Sequence, residues 1–76
     1  MSEPLDVPIS DESIRLGQFL KLANLVESGA EAKPVIADGA VTVNGEVELR
    51  RGRQLHAGDV VELFGEQVQI TTATQD

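Results

Sequence analysis

The chain has 76 residues, enough for one small domain and too few for two. With no cysteine and one histidine it cannot lean on a disulfide framework or a zinc site, so its apolar residues, 41% of the chain, must supply the core. A net charge of −7 argues against a general polyanion binder, and no apolar run approaches the roughly 20 residues that cross a bilayer.

The charge is unevenly spread. Residues 1–14 and 57–76 each carry four acids and no base, whereas residues 15–53 carry all six bases against five acids. Charges further apart than a Debye length of about 8 Å are largely screened, so a local basic patch can act within an acidic chain. No N-terminal stretch joins positive charge to an apolar run, so no signal peptide is expected. A soluble, cytoplasmic monomer with no cofactor and no metal is the expectation.

Residues 1–8 hold two prolines and several acids and read as an extended acidic arm, with room for a short strand in Leu5 to Ile9. Residues 9–72 form the single domain, and 73–76 a frayed tail. Leu16, Phe19, Leu20 and Ala23 make one apolar helical stripe, with Gln18 and Lys21 facing water and an end near Asn24. Ser28-Gly29-Ala30-Glu31 matches a capping box, in which the serine hydroxyl and the glutamate each satisfy a free N–H. The helix it opens buries Ala32, Val35 and Ile36 and ends at Gly39. Pro34 lies past its first turn, and predicts either a kinked helix, which the pattern favours, or a loose turn followed by a short helix.

From Val41 the period becomes two. Val41 and Val43 lead into Asn44-Gly45, a tight hairpin turn, and Val47 and Leu49 resume the apolar alternation beyond it. Glu46 and Glu48 then fall on the polar, solvated face. Gly52 and Gly58 punctuate a loop, and Val60 to Phe64 and Gln67 to Thr72 form two more strands turning at Gly65-Glu66. The pattern is α+β: two N-terminal helices packed on a small antiparallel sheet.

Several motifs occur in a fixed order: Arg15-Leu16-Gly17-Gln18-Phe19-Leu20, then Ser28-Gly29-Ala30-Glu31-Ala32, then Gly39-Ala40-Val41-Thr42-Val43-Asn44-Gly45, then Leu55-His56-Ala57-Gly58-Asp59. The ordered set resembles the RNA-binding domain first named for the fourth protein of the small ribosomal subunit, the S-four domain with its alpha-L motif. Glu27 to Lys33 looks like the small stand-alone bacterial branch. The resemblance implies an RNA-binding protein that recognises structured RNA, ribosomal or transfer, by phosphate and shape contacts. It places Lys21 and Lys33 on exposed helix faces and Arg50, Arg51 and Arg53 on the segment leaving the hairpin. Gly52 would let the backbone approach the ligand and Arg51 and Arg53 point to one side. The free N–H groups at Gly29 to Glu31 would offer a further phosphate contact, opposed by Glu31.

Against the family pattern, Gly29 stands where many members carry a base. Without the resemblance, Arg50 to Arg53 reads as a solvated loop. Arg15 is expected to pair with Asp11 or Glu12, His56 to be an ordinary exposed histidine, and Asn44 to serve turn geometry alone. Catalysis needs convergent acid–base or nucleophilic groups, and none is apparent, so no enzyme is expected. Two other classes compete. A protein-binding adaptor would use the acidic termini to dock a basic partner. A ubiquitin-like sulfur carrier shares the hairpin, but needs a C-terminal Gly-Gly where this sequence reads Thr72-Ala73-Thr74-Gln75-Asp76.

Overall fold

The computed structural model describes residues 4–72. Positions 1–3 of the arm and the tail at 73–76 lie outside the described residues. The elements are β1 (Leu5–Ile9), β2 (Ile14–Arg15), α1 (Leu16–Leu22), α2 (Gly29–Ala37), β3 (Val41–Val43), β4 (Glu46–Val47), β5 (Gln54–Leu55), β6 (Val60–Leu63) and β7 (Glu66–Thr72).

Both helices stop by the same device. In α1 the Asn24 N–H donates to the Lys21 carbonyl and the Leu25 N–H to Leu20, with Asn24 left-handed at φ 63°. In α2 the Gly39 N–H donates to Ile36 and the Ala40 N–H to Val35, with Gly39 at φ 79°. Each is a Schellman ending, and asparagine and glycine are the residues that tolerate it. At the start of α2 the Ser28 hydroxyl accepts from the Glu31 N–H, as expected, but the Glu31 carboxylate reaches the N–H of Glu27 rather than that of Ser28. The helix runs unbroken through Pro34, so the loose-turn alternative does not form. The proline ring is exposed, and the helix around it is held by its cap and by buried Ala32 and Ile36.

The main sheet has the order β1-β7-β6-β3-β4. It is mixed rather than antiparallel: β1 runs parallel to β7, pairing Leu5 with Val68 through Ile9 with Thr72. Residues 5–8 of the arm are therefore part of the sheet, and a strand precedes both helices. Pro8, which has no N–H to donate, sits on an edge strand, where proline is tolerated. One sheet face presents Ile9, Val41, Val43, Val61, Leu63, Val68 and Ile70 to Leu16, Phe19 and Leu20 of α1 and to Ala32 and Ile36 of α2, all buried.

One turn, and the facing of one strand, differ from the alternation pattern. The β6–β7 turn is Phe64-Gly65, one residue earlier than expected, with both residues at positive φ, 55° and 81°. The β3–β4 turn is Asn44-Gly45, and it pairs Val43 with Glu46 and Thr42 with Val47. Cross-strand partners share a face. Val47 thus lies with Thr42 on the outer face, 58% exposed, and Leu49 is 61% exposed. Glu48, expected in solvent, is the residue that turns inward.

Candidate nucleic-acid interface

An α-helix begins with N–H groups that have no partner inside it. In α1 the segment leaving β4 supplies the partners. The Leu16 N–H donates to the Arg53 carbonyl at 2.8 Å, and the Gly17 N–H to the Arg51 carbonyl at 3.1 Å. Arg15, at the N-cap, makes no side-chain cap bond. The junction is fixed alongside by β2 and β5, which pair Ile14 with Leu55 and Arg15 with Gln54. The stem of Arg51 crosses α1 at Gly17: a Cβ there would lie 2.6 Å from Arg51 Cγ, so any larger residue would have to displace that side chain. Gly52 has no such constraint. Its φ is not left-handed, and a Cβ on it would meet nothing within 4 Å.

This docking places cations from distant parts of the sequence around one open concavity, lined by Arg15, Gly17, Gln18, Lys21, Gly29, Arg51 and Gly52. A second concavity continues from Gly52 to Arg50, Arg53 and Gln54. Among the described residues, none of Arg15, Lys21, Lys33 and Arg51 forms an ion pair. Arg15 does not pair with Asp11 or Glu12 as expected, but joins Lys21 and Arg51. A larger concavity beside α1 runs from Pro8 to Leu22 and has a mainly apolar lining. Its lining includes one cation, Lys21, and one acid, Asp11, and no convergent chemistry.

Glu48 organises the second concavity. Its Oε1 accepts from Arg53 Nη1 at 2.8 Å, and its Oε2 accepts from the Arg50 N–H at 3.0 Å and Arg50 Nε at 3.3 Å. The Arg53 bond, followed by the Arg50 N–H, holds the Glu48 carboxyl down at about 2 against the opposing effect of burial. The same bond to Glu48 raises Arg53 above the ordinary guanidinium value. The arginines therefore differ: the Arg50 side chain is 79% exposed, that of Arg53 only 33%.

The other candidates sit elsewhere. Lys33 is exposed on α2 and lines neither arginine concavity. The Glu31 N–H at the start of α2 is taken by Ser28, while Gly29 lines the first concavity. His56 is exposed, and its N–H donates to Asp59. Asn44 does more than turn the chain: its amide donates to Asp59 Oδ1 at 3.1 Å and accepts from the Val60 N–H at 3.0 Å, tying the hairpin to the loop before β6.

Comparison with known proteins places this geometry. Probable ribosome maturation protein RlbA of Bacillus subtilis is 49% identical over 65 residues, covering 86% of this chain and 89% of that protein. Putative RNA-binding protein YbcJ of Escherichia coli is 44% identical over 57 residues, covering 75% and 81%. The solution structure of YbcJ, described as having an alphaL motif involved in RNA-binding, superposes with a TM-score of 0.70 at 37% identity, over 95% of this chain and 92% of that one. Ribosomal protein S4e of Thermoplasma acidophilum superposes with a TM-score of 0.61 at 26% identity, over 79% of this chain and 32% of that one. Residues 7–71 match the S4 domain family, and the chain belongs to it.

Proposed function

We propose that this protein binds structured RNA, ribosomal or transfer, through Arg15, Lys21, Arg50 and Arg51, with Arg53 supporting the loop and Lys33 at the margin. The observation that carries this reading is convergence: Arg15 at the N-cap and Lys21 in the last turn of α1 meet Arg51, some 30 positions later in sequence, around one concavity free of carboxylates. Guanidinium forks suit phosphate oxygens, and the shallow shape suits a folded backbone more than an enclosed small molecule. RlbA and YbcJ, named for ribosome maturation and RNA binding, support the same partner, which here includes ribosome-associated RNA. The protein acts by binding, as a cytoplasmic monomer, without catalysis.

The test uses Arg15→Glu/Arg51→Glu, since among the described residues neither arginine has an ion pair whose loss would disturb the fold. Fluorescence anisotropy with ribosomal RNA fragments should give the wild type a slope of log affinity against log salt near about −3, for about four phosphate contacts. The double variant should bind at least about 100-fold more weakly at low salt with unchanged circular dichroism. A wild-type slope near zero would reject the electrostatic account, and crosslinking in cells with sequencing would name the RNA.

A further inference from the structure

We infer that Glu48 is a positioning residue for the RNA surface, its carboxylate fixing the course of the 50–53 loop and so the placement of Arg50 and Arg51. The inference rests on the RNA-binding reading above. A carboxylate beside a phosphate-binding patch opposes its ligand by charge alone, so its presence there calls for a local reason. The geometry supplies one. All three hydrogen bonds that Glu48 accepts come from the loop: two from Arg50, through its N–H and Nε, and one from Arg53 Nη1. These bonds tie the loop to the sheet edge, where the Glu48 N–H itself donates to the Val41 carbonyl at 3.0 Å. On its other side the loop is tied to α1 through the carbonyls of Arg51 and Arg53. Arg51 and Gly52 are thus held between two anchors.

The arginines divide the work. Arg53 is half-buried and spends its guanidinium on Glu48, so it acts as the anchor. Arg50 commits only its Nε, and with a side chain 79% exposed it keeps its terminal nitrogens for a phosphate. Arg51 packs its stem over Gly17 and has no carboxylate partner among the described residues.

Charge and positioning predict opposite signs for Glu48→Gln. If only charge matters, removing an anion from a basic patch strengthens RNA binding. If Glu48 positions the loop, RNA affinity falls, by roughly five- to tenfold, the size typical of coupling between contacting groups. Anisotropy with ribosomal RNA fragments, on protein verified as folded by circular dichroism, decides. The expected affinity order is wild type, then Glu48→Asp, then Glu48→Gln, because aspartate keeps the charge but shortens the reach. In an Arg53→Gln background, Glu48→Gln should cost less than in the wild type, because only the bonds from Arg50 remain to be lost. A Glu48→Gln variant that binds as well as or better than wild type overturns the inference. Should Glu48→Gln fail to fold, Glu48→Asp carries the test, and wild-type affinity in that variant overturns it. Wild-type RNA binding by Arg15→Glu/Arg51→Glu would instead reject the RNA surface itself.

Discussion

The two hairpins of the main sheet use the same kind of turn for different ends. Both turns place two successive residues at positive φ, Asn44-Gly45 in one and Phe64-Gly65 in the other. The β6–β7 hairpin pairs over four positions, and the ladder is prolonged by the Ile70 N–H donating to the Asp59 carbonyl. Four of its residues, Val61, Leu63, Val68 and Ile70, are buried in the core. The β3–β4 hairpin pairs over two positions, and beyond Glu48 the chain leaves the sheet to become the arginine loop. The long register of β7 adds core residues on both strands; the short one of β4 leaves the core to β3 and releases chain for a surface. The contrast extends to the turns. Asn44 tolerates the left-handed region and adds side-chain bonds, while Phe64 is a bulky aromatic in that region, 72% exposed.

The largest expected effect would break this contrast if it failed. Ile70→Ala in β7 should cost about 2–5 kcal/mol, the range for truncating a buried aliphatic side chain, whereas Val47→Ala in β4 should change stability by no more than about 0.5 kcal/mol. Urea unfolding of both variants measures this, and comparable losses would mean that β4 also carries core. The turns come next. Asn44→Ala should lose about 1–2 kcal/mol, from left-handed strain and from the bonds to Asp59 and Val60. Phe64→Asn should gain about 1 kcal/mol, because asparagine accepts the same φ and the phenyl ring has little packing to lose. Thermal melts compare the two, and a loss in Phe64→Asn would show that the ring packs more than its exposure implies.

A further effect concerns acid. Glu48 titrates near 2 in the folded protein against an ordinary 4.5. The unfolded chain therefore binds its proton more readily, so the stability contributed by this carboxylate is complete above pH 4.5 and is lost as pH falls through about 2. Urea midpoints of the wild type and Glu48→Gln should differ at neutral pH and converge across that interval. A gap independent of pH would show that the carboxylate charge contributes nothing.

Much of this was legible in local sequence. Ser28, Asn24, Gly39 and Asn44-Gly45 each set a backbone conformation within a few residues, and the structure has a cap, two Schellman endings and a hairpin there. The turn at Phe64-Gly65 was harder, because phenylalanine gives no hint of a positive φ and Gly65-Glu66 looked as suitable. Apolar alternation misplaces Glu48 for a physical reason. A two-residue turn at Asn44-Gly45 pairs Val43 with Glu46, so the face shared with Val41 and Val43 continues through Glu46 and Glu48, not Val47 and Leu49. Apolar alternation pointed one way and pairing arithmetic the other, and the hydrogen bonds of the ladder prevailed.

Sequence by itself determined the Ser28 cap, the two helix endings, the Asn44-Gly45 turn, the apolar stripes of the helices and the ordered motifs of the family, because each depends on neighbours a few positions away. Tertiary structure alone decided that β1 joins β7 in parallel, that Arg51 and Arg53 cap α1 with their carbonyls, that Arg15 and Lys21 meet Arg51, and that Glu48 is buried among arginines. Those outcomes depend on which distant segments pair and in what register, and backbone hydrogen bonds satisfied across the fold, rather than local preference, select them.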